Sequence, residues 1–335
     1  MNTAVIEGSD EGRFAAVRAL SAKPTLRGHL AIMRVDHWFK QVFVLPGIAA
    51  ALSDNTSSIP DGLWWRLLVG TASVCLVASS NYVINEVLDA PSDLAHPVKS
   101  ARPTPSGKVN VPLAVVEWLV LMVIGVGLGF LVSVPLGLAA AALWVMGCLY
   151  NIPPIRTKDL PYVDVLSESI NNPLRMLAGW YMTGTTAFAP TSLLLSYWMV
   201  GCYFMGLKRY AEYNEIGDPE RASTYRKSFG YYTPERLLTS IVFYASAAML
   251  FLGAFVMRYR LELVLAFPAV AVVMALYLGL AFKPHSAVIN PEKLYRERKL
   301  MAAVVVCAAA MVVLLFVDIP VLDTIFRPTG LRVRT

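Results

Sequence analysis

Apolar and polar positions along this chain come in long blocks, without the short period typical of soluble helices or strands. Nine blocks approach or reach the roughly 20 apolar residues that a helix needs to cross a hydrocarbon core about 30 Å thick. Their ranges are 36–53, 64–88, 112–133, 135–151, 163–184, 190–210, 236–257, 261–281 and 299–317. The pattern predicts an all-α, polytopic membrane protein with nine transmembrane helices.

The first and fourth blocks are the weakest of the nine. The first is short and contains Pro46, which removes a backbone donor and can kink a helix, so this segment is also compatible with an interfacial start. The composition fits a lipid environment, since 56% of the residues are hydrophobic and only 16% are charged.

Basic residues are distributed unevenly between the two ends of the predicted spans. With the N-terminus in the cytoplasm, the inside segments carry 22 of the 29 Lys and Arg residues and the outside segments carry six. This asymmetry predicts an odd number of spans, with the N-terminus inside and the C-terminus outside. It also assigns the net charge of +6 to membrane topology, with no nucleic-acid partner.

The same blocks set the expected domain boundaries. Residues 1–22 are polar and predict a flexible cytoplasmic tail, residues 23–320 a single transmembrane domain, and residues 321–335 a short C-terminal tail. The stretch GVGLGF, residues 125–130, lacks the βαβ context of a nucleotide site. We therefore interpret it as a place where two helices pack closely.

Ionisable residues gather in the predicted inside loops. Asn81, Asn85, Asp89 and Asp93 recur at a spacing of four, which predicts one polar stripe at the inner end of the second span. Two carboxylates on one face repel each other, so a cation is expected between them. Oxygen ligands without His or Cys at metal spacing favour Mg²⁺ bound together with substrate phosphates. The alternative is that both aspartates are simply solvated at a helix end.

Basic residues follow these acids at once. His96, Lys99, Arg102 and Lys108 lie within fifteen residues of Asp93, as expected where bases bind phosphate oxygens beside a metal ion. The hypothesis from the residues is therefore a site for a metal ion and a diphosphate.

A second dense loop, KRYAEYNEIGDPERASTYRK, covers residues 208–227 and mixes both charges at a membrane boundary. Lys208 and Glu212 stand four residues apart, so a local salt bridge is one reading. The other reading is that this cluster and the first each hold part of one anionic ligand across a cavity.

Weaker candidates lie elsewhere in the chain. Lys40 follows Trp38, a pattern also typical of an interfacial anchor. The connection YNIPPIRTKDLPYVD carries Arg156, Lys158 and Asp164. Arg175 lies inside the fifth span, where a charge normally faces a polar cavity or a partner such as Glu168.

Together these residues resemble the UbiA superfamily of intramembrane prenyltransferases. The signature NDxxDxxxD is matched by Asn85, Asp89 and Asp93, whereas position 86 is Glu instead of Asp. The resemblance covers about nine tenths of the chain and implies nine helices around a cavity open to the cytoplasm and to lipid. The departure at Glu86 keeps a carboxylate but lengthens it by one methylene.

Within that superfamily the chain is most similar to the decaprenyl-phosphate phosphoribosyltransferase branch. DHWFKQ resembles QWxKN, DLAHPVKSARP resembles DxxHPxKxxRP, LKRYAE resembles KRxAE, PLRMLAG resembles LRxxAG, and NPEKLYRERKL resembles PExxLxRDRxL. The resemblance implies Mg²⁺-dependent transfer of 5-phosphoribosyl from phosphoribosyl pyrophosphate to a polyprenyl phosphate. It also implies a role in cell-wall biosynthesis at the bacterial inner membrane.

The resemblance suggests roles for individual residues. Asp89 and Asp93, with Glu86 as a further candidate, bind the metal; Lys208 and Glu212 join the two aspartates as catalytic residues. Substrate-binding roles fall to Lys40, Asn85, His96, Lys99, Arg102, Lys158, Arg175 and Arg209.

Two alternatives stay open. One is a prenyltransferase that moves a prenyl group from a prenyl diphosphate to an aromatic acceptor, with Glu212, Glu215 and Asp218 as its second acidic motif. The other is a transporter, which the absence of an evident repeat and the bland outer loops disfavour. The sequence leaves the natural acceptor, the lipid chain length and homo-oligomer formation undecided.

Overall fold

The computed structural model describes residues 23–54, 60–94 and 99–326, and within these ranges every regular element is helical. The helices are α1 (Leu26–Ile32), α2 (Leu45–Asp54), α3 (Leu63–Asp93), α4 (Val111–Val132), α5 (Val134–Asn151), α6 (Val163–Ser169), α7 (Asn171–Met182), α8 (Thr191–Ile216), α9 (Pro219–Tyr225), α10 (Pro234–Tyr259), α11 (Phe267–Ala281), α12 (Arg298–Phe316) and α13 (Pro320–Ile325). Short 3₁₀ helices connect several of them, including Val35–Val44, Lys99–Ala101 and Lys227–Gly230.

Six helical segments in the described ranges are long and apolar enough to cross a membrane: Leu63–Asp93, Val111–Val132, Val134–Asn151, Pro234–Tyr259, Leu261–Ala281 and Arg298–Phe316. They coincide with six of the nine predicted spans. The predicted all-helical membrane protein is thereby confirmed, while the count of nine crossings stays a prediction.

The other three predicted spans are not continuous apolar helices: two are divided and one carries many polar residues. The segment 36–53 divides into a 3₁₀ helix and α2, in line with the expected effect of Pro46, and 163–184 divides into α6 and α7. The third lies in α8, which is 26 residues long. Each of the three carries polar side chains, as expected of helices that face polar groups within a protein.

The chain forms two compact units. Of the described residues, those up to residue 44 and between 62 and 156 form the first unit, and those between 45 and 61 and from 157 onward form the second. In the first unit α3 packs against α4 and α5. It is the interior helix of this unit, since 61% of its most apolar stretch is buried, against 17% for α4.

Glycine permits the close approach of α4 to α3. A Cβ atom on Gly125 would lie 2.9 Å from Val77 Cγ2, and the Gly125 carbonyl accepts a hydrogen bond from Ser73 Oγ at 2.6 Å. The predicted close packing at residues 125–130 is therefore confirmed. It holds α3 close to α4, so the polar C-terminal end of α3 has a fixed position within the unit.

The second unit is built around α8 and α10, which pack along each other. Their shared core includes Tyr203, Leu207, Ile241 and Tyr244. Helix α2 presses directly on α7, because a Cβ atom on Gly47 would lie 1.8 Å from the Met176 carbonyl oxygen. Polar residues at the end of α8 emerge from this core and form the second cluster described below.

Candidate functional site

The polar stripe predicted at the end of the second span lies on α3, which continues to Asp93. Asn81, Asn85, Asp89 and Asp93 thus occupy successive turns of one helix face. Asp93 is buried, with 4% of its surface exposed, and the Asp89 side chain is 21% exposed. These exposures disfavour the reading in which both aspartates are simply solvated at a helix end.

Each aspartate pairs with an arginine from a different loop. Arg156 Nη2 donates to Asp89 Oδ1 at 3.0 Å, and Arg102 Nη1 donates to Asp93 Oδ2 at 2.7 Å. The cations that the DxxxD spacing requires are therefore supplied by the protein in this state. Both arginines are partly exposed, at 23% and 29%, so a ligand can reach them.

Asparagines connect α3 to α5 beside these pairs. Asn85 Nδ2 donates to Asp89 Oδ2 at 3.2 Å and to Asn151 Oδ1 at 2.5 Å. Asn151 Nδ2 in turn donates to the Gly147 carbonyl at 2.9 Å. This ladder fixes the orientation of the Asp89 carboxylate, because each amide has a definite donor and acceptor end.

Glu86 points elsewhere than the two aspartates. Its side chain is buried, and Oε1 accepts hydrogen bonds from the backbone N–H and the hydroxyl of Thr104, both at 3.1 Å. The residue that departs from the family signature therefore anchors the loop that carries Arg102. Its predicted role as a metal ligand stays a prediction.

The remaining predicted residues of the first unit differ in what can be said of them. Lys40 is half-buried on the 3₁₀ helix Val35–Val44, and Lys99 is half-buried on the 3₁₀ helix Lys99–Ala101. His96 lies outside the described residues. Lys40 and Lys99 each interact with other groups of the protein.

The oxygen donors on α3 match part of the coordination shell that Mg²⁺ requires. Within residues 23–54, 60–94 and 99–326, the structure contains no group of three or more His, Cys, Asp or Glu side chains arranged for a metal. Two carboxylates one turn apart nevertheless fit the usual Mg²⁺ site, which takes one or two carboxylates and fills its other positions with waters and substrate phosphates. Asp89 and Asp93 therefore fit a Mg²⁺ ion whose remaining ligands are waters and substrate phosphates.

The second unit holds a buried cluster of charges where α6 and α8 meet the loop before α10. Asp164 is fully buried, and its carboxylate accepts hydrogen bonds from Arg209 Nε at 3.2 Å, Ser228 Oγ at 3.3 Å and the Tyr232 hydroxyl at 2.6 Å. Arg226 Nη1 lies 3.7 Å from the same carboxylate. A buried charge requires partners of this kind.

Arg209 extends this cluster toward the predicted catalytic residues. Its guanidinium, with a side chain only 2% exposed, also donates from Nη1 to Glu212 Oε2 at 2.9 Å. Glu212 Oε1 lies 3.8 Å from Lys208 Nζ, and the Lys208 side chain is 26% exposed. The local salt bridge between Lys208 and Glu212 is therefore present, and Lys208 is the more accessible of these three side chains.

Electrostatics in the cluster shift two pKa values. Burial raises the pKa of Glu212, but the positive charges of Arg209, Lys208 and Arg226 outweigh it and hold that pKa below its ordinary value. Burial, followed by the negative charge of Asp164, raises the pKa of Tyr232. Glu212 is thus an anion and Tyr232 a neutral donor near pH 7.

Two further predicted residues also lie in the second unit. Lys158 is buried, and its backbone carbonyl is 3.5 Å from Arg226 Nη1. Arg175 is half-buried on α7 and donates to Asn172 Oδ1 at 3.4 Å. Lys158 and Arg175 each have further interactions within the protein.

Sequence reasoning assigned no role to several residues that organise these clusters. The sequence predicts Arg156 and Asp164 in an inside connection with no assigned role, and its motifs do not include Thr104 or Asn151. Spacing along the chain could not reveal them, because their partners lie far away in sequence.

A comparison with protein families decides the class. The model of the UbiA prenyltransferase family matches residues 42–290, which is most of the chain. The chain belongs to the UbiA prenyltransferase family. The resemblance expected from the motifs around Asp89 and Lys208 is thereby confirmed.

Among the relatives with similar sequences, two kinds are named for a reaction on a lipid phosphate. A decaprenyl-phosphate phosphoribosyltransferase of Corynebacterium glutamicum is 29% identical over 219 residues, which cover 63% of this chain and 61% of that protein. A digeranylgeranylglyceryl phosphate synthase of Saccharolobus solfataricus is 32% identical over 122 residues, covering 35% of this chain and 42% of that protein. The chain thus spans about three fifths of the length of the first relative.

Solved structures confirm the UbiA fold. A UbiA homolog from Archaeoglobus fulgidus, determined bound to GPP and Mg²⁺, superposes with a TM-score of 0.63 at 16% sequence identity, over 87% of this chain and 100% of that chain. At this identity the likeness establishes the fold alone.

Proposed function

We propose that this protein transfers a 5-phosphoribosyl group from phosphoribosyl pyrophosphate to a polyprenyl phosphate and releases pyrophosphate. The observation that carries the proposal is the pair of aspartate–arginine contacts at the end of α3, Asp89 with Arg156 and Asp93 with Arg102. Carboxylates for a metal and guanidinium groups for phosphate oxygens are what a diphosphate ligand requires. The named phosphoribosyltransferase relative supports the choice of donor.

In the first unit, Asp89 and Asp93 are assigned to Mg²⁺ and, through it, to the donor diphosphate. Lys40, His96, Lys99 and Arg102 are assigned to phosphate oxygens and Asn85 to orienting Asp89. When bound, Mg²⁺ stabilises the negative charge that develops on the departing diphosphate. A structural relative bound to Mg²⁺ supports this cofactor.

In the second unit, Lys208 is assigned to the phosphate of the acceptor and Glu212 to the ribose hydroxyls. Lys158 and Arg175 are assigned to the polar lining around them. Arg209 is nearly fully buried and engaged by two carboxylates, so we assign it to holding Glu212 and not to a phosphate.

The chemistry needs no strong base. A phosphate oxygen of the acceptor forms a bond to the anomeric carbon of the ribose while the bond from that carbon to the diphosphate oxygen breaks. The acceptor phosphate is already ionised near neutral pH, so no proton must be removed. The protein contributes position and charge. Cationic side chains balance the negative charge that grows on the leaving diphosphate, and the contacts of Glu212 with the ribose hydroxyls orient the sugar.

The setting is part of the same proposal. We place the protein in a bacterial inner membrane with its N-terminus and its site toward the cytoplasm, where phosphoribosyl pyrophosphate is available, and with polyprenyl phosphate entering from the bilayer. A lipid-linked phosphoribose of this kind would serve cell-wall biosynthesis.

The test uses membranes that contain the full chain. Incubation with labelled phosphoribosyl pyrophosphate, a polyprenyl phosphate and Mg²⁺ should give a lipid-soluble product that carries the label and contains a phosphosugar by mass spectrometry. Chelation of the divalent metal should abolish the product. Absence of any lipid-soluble label with metal present would refute the proposal.

A second candidate is transfer of a prenyl group from a prenyl diphosphate to an acceptor. The digeranylgeranylglyceryl phosphate synthase relative favours it, because the same metal–diphosphate arrangement would serve an allylic donor. Product formation with a prenyl diphosphate and an aromatic acceptor, and none with phosphoribosyl pyrophosphate, would identify this reaction.

A further inference from the structure

The buried carboxylate of Asp164 belongs to no part of the proposed reaction, although it is the most completely enclosed charge in the second cluster. Its side chain is 0% exposed, so it cannot touch a substrate. Three hydrogen-bond donors converge on it, from α8, from the 3₁₀ helix Lys227–Gly230 and from the residues that precede α10. Burying a carboxylate costs free energy even when it is paired. We therefore ask which accessible residue depends on the position of Asp164.

Arg209 connects Asp164 to Glu212. Its guanidinium is a planar fork whose nitrogens keep fixed directions. Nε binds Asp164 and Nη1 binds Glu212, so fixing one end of the fork fixes the other. The position of Asp164 therefore determines where the Glu212 carboxylate lies.

Glu212 in turn contacts Lys208, which is partly exposed. One of its oxygens binds Arg209 and the other lies 3.8 Å from Lys208 Nζ. The contacts run from Asp164, with no exposure, through Arg209 at 2% and Glu212 at 9% to Lys208 at 26%. Negative and positive charges alternate along this series, so each group stabilises its neighbours.

We infer that Asp164 is a positioning residue, which acts through Arg209 to hold Glu212 and Lys208 for contact with the acceptor phosphate. This inference rests on the proposed function, because that function assigns Lys208 and Glu212 to the substrates. It goes beyond that function by naming a residue remote from the substrate on which acceptor recognition depends.

The experiment compares variants that disturb the same buried cluster in different ways. Asp164→Asn removes the charge that holds Arg209. Arg209→Lys keeps the positive charge but cannot bind two carboxylates with one fork. Tyr232→Phe is the matched control, because it removes a donor to Asp164 and the acceptor of the Tyr162 backbone N–H but none of the groups that join Asp164, Arg209 and Glu212.

Two measurements are made on full-length protein in detergent or membranes. The first is kcat/KM for polyprenyl phosphate, and the second is the rise in the thermal unfolding midpoint that a short-chain prenyl monophosphate produces. For Asp164→Asn and Arg209→Lys we expect kcat/KM to fall about tenfold or more, the scale of a lost hydrogen bond to a charged group, and the ligand-induced rise to disappear. Tyr232→Phe should lower the unfolding midpoint without ligand but retain both kcat/KM and the ligand-induced rise.

The outcomes separate the inference from the proposed function. If Asp164→Asn and Arg209→Lys keep wild-type values, or if Tyr232→Phe loses kcat/KM as much as they do, Asp164 is only structural and the inference is overturned. Should Asp164→Asn fail to fold, Arg209→Lys decides alone. A wild-type protein that makes no phosphoribosyl lipid, yet shows the expected pattern of ligand-induced rises, would overturn the proposed reaction and support the inference. A wild-type protein that makes no phosphoribosyl lipid and shows no response to the prenyl monophosphate would overturn both.

Discussion

Arg156 Nη2 lies 3.0 Å from Asp89 Oδ1, although 67 positions separate the two residues in the chain. Arg156 reaches this place with a backbone φ of +33°, in the left-handed region that residues other than glycine seldom adopt. Such a conformation persists where the surroundings fix it, often at functional sites. The charge of Asp89 is thus balanced by a loop arginine that its own helix could not supply.

The first prediction concerns this arginine. Arg156→Gln should raise the KM for phosphoribosyl pyrophosphate about tenfold, because a charge-assisted contact to a phosphate is worth roughly 1.5–3 kcal/mol. Steady-state kinetics on membranes measures this, with Arg221→Gln on the exposed side of α9 as a control. An unchanged KM together with a lower unfolding midpoint would instead give Arg156 a purely structural role.

The two aspartates of α3 give the second prediction. Asp89→Asn and Asp93→Asn should each reduce Mg²⁺-dependent turnover by about 100-fold, the scale of losing one electrostatic stabiliser at a reacting centre. Turnover is followed across a Mg²⁺ titration, and Asp323→Asn, at an exposed position of α13, should behave as the wild type. Flux of a solute without a covalent product in any variant would point to a transporter.

Glu86 provides the third prediction, because its two possible roles give opposite results. If it anchors the loop through Thr104, Glu86→Gln should keep the accepting oxygen and leave the Mg²⁺ concentration for half-maximal turnover unchanged. Thr104→Val, which removes one of the two donors to Glu86, should lower the unfolding midpoint, at a cost of about 1–3 kcal/mol. A higher Mg²⁺ requirement in Glu86→Gln would identify Glu86 as a metal ligand.

The fourth prediction concerns pH. Because the folded-state pKa of Glu212 lies below its ordinary value, its contribution to stability is present above the unfolded-state pKa of about 4.3 and is lost as pH falls through the folded-state value. The unfolding midpoint of the wild type should therefore drop more steeply than that of Glu212→Gln below about pH 4.3. Parallel curves for the two proteins would show that the ion pairs with Arg209 and Lys208 add nothing to stability.

A packing test of the asparagine ladder is the fifth prediction. A Cβ atom on Gly147 would lie 2.1 Å from Asn81 Cγ, so Gly147→Ala must displace the Asn81 side chain or move α5 away from α3. We expect a lower unfolding midpoint and reduced turnover, since the ladder through Asn151 orients Asp89. Gly127→Ala, where a Cβ atom meets no neighbouring atom within 4 Å, is the matched control.

The sequence alone determined that the protein is an all-helical membrane protein and where along the chain its candidate site residues lie. Long apolar blocks favour a bilayer, and among the residues that the structure describes six of the nine blocks form helices both long and apolar enough to cross one. The spacing of Asn85, Asp89 and Asp93 was sufficient to place them on one helix face, since helical periodicity is a local property. The family followed from the same short motifs.

Only the tertiary structure decided which charges meet. Asp89 finds Arg156 and Asp164 finds Arg209 across 67 and 45 positions, and Glu86 turns to Thr104, away from its neighbours in the signature. Such pairings depend on how helices pack and where loops return, which local spacing does not encode. The physical reason is that a charge within a low-dielectric interior is stable only beside a partner, and the fold determines which partner lies within reach.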